Sequence, residues 1–263
     1  MSNFISRLKN KLHPIPPFPA AYIWRPDHKG EEYTTVLARL HTILAPATYF
    51  EIGSRSGGSL ALASCASIAI DPQFSLIPAF HNNKPVCHLY AMTSDDFFAA
   101  HSPTAIFGRP IDFAFLDGLH LAEFLLRDFI NTEPHCKPDS VIALHDCFPT
   151  DEVMARRDED DRSRPDKPGQ AEWWTGDVWL AAEALKKYRP DLTIIALDAP
   201  PTGLVLVTGL NPASTVLKDK YDEIIASFDT SPNPRDRFRA FDASLPMTAT
   251  SSLVTAEDLN RLR

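Results

Sequence analysis

Short apolar, β-branched runs alternate along this chain with segments of helical period. Thr48 to Ile52 predicts a strand, and the small-residue stretch Gly57 to Ser64 predicts a helix. Ser67 to Ile70 predicts a second strand closed by Asp71-Pro72, and Val86 to Ala91 a third, with a helix over Asp95 to Ala100 after it. Ile111 to Leu116 predicts a fourth strand closed by Asp117-Gly118. Leu121 to Asn131 follows as a helix whose apolar positions are Phe124, Leu125, Phe129 and Ile130. Val141 to Leu144 predicts a fifth strand, closed by His145-Asp146. Such alternation implies an α/β fold, a parallel sheet with helices on both faces.

The pattern changes after Asp146. Pro149 to Gln170 is charged and nearly free of apolar residues, and it reads as a mobile insertion or lid over 149–175. A helix is expected again over Asp177 to Tyr188, then strands over Leu192 to Leu197 and Leu204 to Thr208. The link between these two strands, Asp198 to Gly203, is too short for a crossover, so they must form an antiparallel hairpin. Beyond Asn211 the chain predicts one helix, Ser214 to Phe228, and a polar, Pro-rich end without a readable pattern. The expected organisation is an N-terminal extension over 1–30, a sheet domain over 31–211 and a C-terminal helix and tail over 212–263.

Composition narrows the function. With 44% hydrophobic and 23% charged residues the chain has a globular balance, and no apolar run is long enough to span a bilayer. Met1 to Lys11 lacks the apolar run of a secretory signal. Phe4, Ile5, Leu8 and Leu12 could make it a short amphipathic helix packed on the domain. A net charge of −8 argues against nucleic acid as a partner. Cys65, Cys87, Cys136 and Cys147 show no zinc spacing. Cys65 and Cys87 read as buried reduced thiols, which fits a cytoplasmic location. The expected partner is a small molecule, with no stable membrane association, and the extension and tail are candidate elements of a homo-oligomer.

Ligands of open α/β sheets bind beyond the carboxyl ends of the strands. Those positions here are Glu51 and Gly53, Asp71, Thr93 to Asp95, Asp117, and His145 with Asp146. Gly53, Gly57 and Gly58 allow a tight turn and close approach of a ligand to the backbone. Asp71 follows Gly53 by 18 residues, where a carboxylate can take both hydroxyls of a ribose. A dinucleotide-dependent oxidoreductase shares these two features, but its GxGxxG presents free amides to a pyrophosphate. Here the loop is Glu-x-Gly-x-x-x-Gly, and Glu51 would repel a pyrophosphate while suiting the cationic amino-acid portion of S-adenosylmethionine (SAM).

At this point the chain resembles the class I SAM-dependent methyltransferases, in the type 24 branch related to macrolide-sugar and catechol-type O-methyltransferases. The resemblance spans about Tyr49 to Asn211. It rests on Phe50-Glu51-Ile52-Gly53-x-x-x-Gly57, Ile70-Asp71, Thr93-Ser94-Asp95-Asp96-Phe97-Phe98, Phe115-Leu116-Asp117-Gly118-x-His120 and Leu144-His145-Asp146. It implies a Rossmann-like, seven-stranded, mostly parallel sheet with a C-terminal antiparallel hairpin. It also implies that Glu51 and Gly53 line the methionine part of SAM, Asp71 the ribose, and Thr93, Ser94 and Asp95 the adenine edge, with Ser54, Gly57 and Asp117 also binding the cofactor.

The reaction such a fold would run is transfer of the SAM methyl group to a small hydroxylated metabolite or sugar. Asp117, His120 and His145 are the catalytic candidates, and two mechanisms are open. In one, Asp117, His145 and Asp146 hold Mg²⁺ or another divalent cation that acidifies the acceptor hydroxyl. The catechol-type pattern puts a third oxygen ligand where this chain has Cys147, a poor Mg²⁺ ligand. In the other, His120 or His145 is the general base, oriented by Asp117 or Asp146. A methyltransferase-like fold serving only as a binding module is the alternative outside catalysis. Trp173 and Trp174 either line the acceptor or anchor the insertion, and Arg156, Arg157, Arg162 and Arg164 form either a solvated face or a contact for an anionic acceptor.

Overall fold

A computed structural model describes residues 18–81, 83–159, 173–229 and 233–262. The expected amphipathic segment over Met1 to Lys11 lies outside the described residues, as do Arg162 and Arg164.

Eight strands form one sheet in the order β3-β2-β1-β4-β5-β7-β6-β8. They are β1 (Thr48–Ile52), β2 (Ala66–Ile70), β3 (Cys87–Tyr90), β4 (Ile111–Leu116), β5 (Cys136–His145), β6 (Thr193–Leu197), β7 (Leu204–Thr208) and β8 (Met247–Thr248). β1 to β5 pair in parallel, and β7 runs antiparallel to both β5 and β6. The parallel sheet with its antiparallel hairpin is therefore as expected. The eighth strand is new: two residues of the tail that pair in parallel with β6.

Alternate strand residues go to opposite faces, as a doubly covered sheet requires. Phe50, Ile52, Ala114, Leu116, Ile142 and Leu144 face one core. The helices covering it are α4 (Ala122–Thr132), α5 (Trp179–Tyr188) and α8 (Pro234–Ser244). Tyr49, Phe113, Phe115, Val141 and Ala143 face the other, beneath α1 (Tyr33–Leu44) and α9 (Ala256–Leu262). The remaining helices are α2 (Ser94–Ala100) and α3 (Pro103–Phe107) beside β3 and β4, and α6 (Val216–Asp219) and α7 (Tyr221–Phe228) after β7.

Several expectations are corrected. Gly57 to Ser64 is not an α-helix; only Leu60–Leu62 turns, as a 3-10 helix. Its glycines and serines are poor helix formers, and Gly57 sits at φ +74°, outside any right-handed helix. Ser214 to Phe228 breaks at Lys220 into α6 and α7. The tail is ordered by α8, whose Asn233 cap accepts from the Asp236 amide ahead of Pro234. The described part of the insertion is divided: Thr150, Asp151, Val153, Met154 and Ala155 are buried, while Arg157, Asp158 and Glu159 are exposed. Arg157 pairs with Glu123 at 2.6 Å and with Asp177. Cys65 is buried as expected, but Cys87, on the edge strand β3, is only half-buried.

Residues 18–30 are woven into the body as well. The Trp24 ring packs edge-on to Trp179 at 6.1 Å and lies 5.1 Å from Phe238, tying this segment to α5 and α8.

One partly buried group in α1 makes stability depend on pH. His41 lies 4.7 Å from the Tyr49 ring and 5.1 Å from Phe113, and neither ring nitrogen has a hydrogen-bond partner among the described residues. Burial, reinforced by Lys84, lowers its pKa to about 4. The unfolded chain takes up this proton near pH 6.5 and the folded chain does not, so stability is complete above about pH 6.5 and falls as pH drops toward 4. The expected loss between pH 7 and 4.5 is about 2–3 kcal/mol from this group. Urea unfolding of wild type and His41→Leu at both pH values checks it: the variant should lose less stability on acidification. An equal loss in both would show that His41 is not responsible.

Candidate active site

The carboxyl ends of β1, β2, β4 and β5 bring the sequence-predicted residues to one edge of the sheet. Gly53, just past β1, has φ +87°, and its amide donates to the Ile70 carbonyl at 2.9 Å. A Cβ there would lie 1.8 Å from the Asp117 carbonyl oxygen, so only glycine lets the loops after β1 and β4 touch. Glu51 is fully buried. It accepts from the Tyr49 hydroxyl at 2.6 Å and the Ser59 hydroxyl at 2.9 Å. Burial raises its pKa, opposed by the hydroxyls of Tyr49, Ser54 and Ser59. Glu51 therefore shapes the loop from beneath and presents no surface of its own.

Asp71 ends β2. One carboxylate oxygen accepts the Arg55 amide at 2.8 Å and the other the Gln73 amide at 2.7 Å. Each oxygen keeps a lone pair for a further donor. Past β3, Thr93 caps α2 by accepting the Asp96 amide at 3.1 Å, and the Ser94 hydroxyl faces the buried Asp128, whose pKa burial lifts to about 7. Asp95 is engaged by Arg127 at 3.0 and 2.8 Å, so its carboxylate already has a cationic partner.

The acid–histidine cluster lies at the ends of β4 and β5. His145 Nδ1 is 3.1 Å from Asp117 and 3.3 Å from Asp146; His120 Nε2 is 3.5 Å from Asp117 and 3.2 Å from Asp146. His120 Nδ1 donates to the Trp174 carbonyl at 2.6 Å. A carbonyl only accepts, so Nδ1 carries the hydrogen and Nε2 is turned to the two carboxylates. Two anions cannot face an imidazole lone pair without a proton or a metal ion between them. Burial opposes charge on His120, but Asp146 and Asp117 outweigh it and raise its pKa to about 9. His145 behaves alike: burial is overridden by Asp146 and Asp117, and its pKa stands well above the ordinary value. Burial would lift the Asp146 pKa, yet His145 and His120 hold it below the usual carboxylate range.

Of these side chains, Asp117, His120 and Asp146 can each offer one ligand atom to a common ion, with all three atoms within 4.8 Å of one another. His145 lies against the same carboxylates through Nδ1, while its Nε2 is buried without a partner among the described residues. Cys147 turns away: it is fully buried, its Sγ lies 3.3 Å from the His145 carbonyl, and burial pushes its thiol pKa far up.

Two aromatic rings wall the cluster. The Tyr33 ring lies 4.0 Å from that of His145, and Trp174 lies 5.2 Å from that of His120. Trp174 also anchors the insertion by donating Nε1–H to the Arg156 carbonyl at 2.6 Å, while Trp173 is 36% exposed. Sequence reasoning missed Tyr33 and Thr202, whose hydroxyl donates to Asp146. The helical spacing of Tyr33, Val36, Leu37 and Leu40 was a signal for the first; Thr202 looked only like a turn residue. A cavity of about 370 Å³ lies at the opposite, amino ends of the strands, and its charged pair, Asp112 and Lys137, is self-satisfied at 2.7 Å. The chemistry is at the carboxyl ends.

Residues 50–147 match the family described as a methyltransferase domain, the type 24 branch, and all five motifs fall inside that span. No curated protein matches the chain. Among solved structures, it is similar to an O-methyltransferase of tomaymycin synthesis from Streptomyces achromogenes, in complex with SAM, at 16% identity over 68% of this chain and 80% of that one, with a TM-score of 0.44. An O-methyltransferase from Bacillus cereus, in complex with S-adenosylhomocysteine (SAH), gives 14% identity over 69% and 83%, with a TM-score of 0.44. An SAH-bound methyltransferase from Podospora anserina gives 14% over 67% and 76%, with a TM-score of 0.43.

Proposed function

We propose that this chain, whose residues 50–147 match a methyltransferase domain, is a SAM-dependent O-methyltransferase acting on a small hydroxylated acceptor. The observation that carries the reading is the contact between Gly53 and Asp117. It brings the Gly53 loop against the end of β4 that carries Asp117, which supports a reading in which a methyl donor on the loop faces an acceptor at the acid–histidine cluster.

In this reading the loop from Gly53 to Gly57 receives the methionine portion and Asp71 takes the ribose hydroxyls. The methyl group leaves the sulfonium for the acceptor oxygen, giving SAH and a methyl ether, while the hydroxyl proton passes to the protein. Asp117 is the residue assigned to take it, because its side chain is 19% exposed against 7% for Asp146. His145 Nδ1 holds Asp117 in place, and the rings of Tyr33 and Trp174 pack against the imidazoles of His145 and His120.

His120 makes a poor base by itself, since the carboxylates keep it protonated at neutral pH. Two carboxylates and one imidazole are a donor set that suits a divalent cation held by Asp117, His120 and Asp146. Such an ion would lower the pKa of an acceptor hydroxyl.

Calorimetry tests the reading directly. Wild type should bind SAM, and Asp71→Ala should bind it about 10–100-fold more weakly, the loss expected for charge-assisted hydrogen bonds. Wild-type protein that takes up no SAM would overturn the assignment.

A further inference from the structure

Asp146 is one of four non-glycine residues with positive φ among the described residues, at +60°. A left-handed aspartate costs backbone energy and persists only where its surroundings hold it. The hold comes from the β6–β7 hairpin. The Thr202 hydroxyl donates to Asp146 Oδ1, and the Phe148 amide donates to the Thr202 carbonyl at 2.9 Å. Thr202 is 1% exposed, so this hydroxyl has no water to turn to.

A second layer locks that contact. His28 Nε2 donates to the Phe148 carbonyl at 3.0 Å, and its Nδ1 lies 2.9 Å from Asp198, at the start of the same hairpin. Gly203 follows Thr202 at φ +79°, and a Cβ there would stand 2.8 Å from Phe148 Cβ. The hairpin can press on the loop after β5 only because this position is glycine. The hairpin also reaches the other wall: the Pro200 carbonyl accepts the Tyr33 amide at 3.0 Å, setting the first turn of α1 whose ring covers His145.

We propose that Thr202 is a positioning residue. It holds the Asp146 carboxylate where it meets His120 and His145, and His28 fixes the loop on which both depend. The assignment rests on reading Asp146 as part of the reaction site, but its test does not need the reaction. Outer partners of this kind change the activity or metal affinity of a site by roughly 10–100-fold.

Imidazole ¹⁵N spectra at one fixed pH, recorded on metal-free wild type, Thr202→Val, Thr202→Ser and Thr202→Cys, provide that test. The His120 and His145 signals should shift in Thr202→Val, shift less in Thr202→Cys with its weaker donor, and return to wild-type positions in Thr202→Ser. His41, about two helical turns beyond Tyr33 in α1, is the internal reference and should stay fixed. Unmoved His120 and His145 signals in Thr202→Val, with a lowered melting temperature, would reduce Thr202 to a structural hydroxyl and overturn the proposal. A shift that includes His41 would mean general loosening and would overturn it too. If Thr202→Val fails to fold, Thr202→Cys carries the same readout. SAM binding measured on the same samples reports separately on the methyltransferase reading, because Thr202 does not touch the Gly53 loop.

Discussion

A Gly53→Ala protein is expected to lose SAM binding and to melt about 5–15 °C below wild type. Its new methyl group would stand 1.8 Å from the Asp117 carbonyl oxygen and 2.8 Å from the Gly118 amide, both backbone atoms without freedom to swing aside. Added to that overlap is the strain of alanine at φ +87°. The two effects together cost about 2–5 kcal/mol, which for a domain of this size gives the melting shift above. Gly108→Ala is the control. It has φ +67° but open space around the added carbon, so it should show only the conformational part, about 1 kcal/mol, and keep SAM binding. Thermal unfolding and calorimetry of the two variants check this. Intact SAM binding in Gly53→Ala would mean that the loops after β1 and β4 are not coupled.

Removing divalent cations is expected to have the second large effect. Methyl transfer, followed as SAH release with any acceptor that supports it, should fall on the order of a thousand-fold in EDTA and recover with Mg²⁺ or Mn²⁺. SAM affinity should be unchanged in chelator, because the Asp71 and Gly53 contacts involve no member of the Asp117, His120 and Asp146 set except through the Asp117 backbone. Full turnover in EDTA would instead leave proton transfer to Asp117 alone.

Much of this arrangement was legible in the chain because the sheet is covered on both faces. Strands such as Thr48–Ile52, Ile111–Leu116 and Leu204–Thr208 are nearly continuous apolar runs, and the polar residue that ends each run stands out. Asp71, Asp117, His145 and Asp146 were found in that way. Helices were read less well. Gly57 to Ser64 has the small residues of a close-packed helix, yet its glycine at positive φ makes a turn instead. α8 was hidden because Arg235, Asp236, Arg237 and Arg239 surround its two buried aromatics, Phe238 and Phe241. Its Asn233-Pro234 start was the available signal.

The parts that escaped sequence reading are contacts between distant segments. His120 meets the Trp174 carbonyl across 54 residues, and Thr202 meets Asp146 across 56. Neither is coded by any local pattern, since a carbonyl has no residue type and a threonine in a turn is unremarkable. The metal-capable set also shifted for this reason. Adjacency along the chain suggested His145, whereas the spatial set with a common focus contains His120, oriented by a backbone atom of the insertion.

The place of β7 in the sheet carries a consequence for how the protein is made. This strand follows β6 in the chain but is inserted between β5 and β6, so the edge of β5 that bears His145 stays open until Thr208 has been synthesised. A nascent chain can assemble β1 to β4 and the Gly53 loop well before then. The hydroxyl that holds Asp146 arrives only with the hairpin. Maturation of the acid–histidine cluster is thus a late event in biogenesis, and a chain stalled before Thr202 would carry the Gly53 loop and Asp71 without the organised Asp146 that the finished protein has.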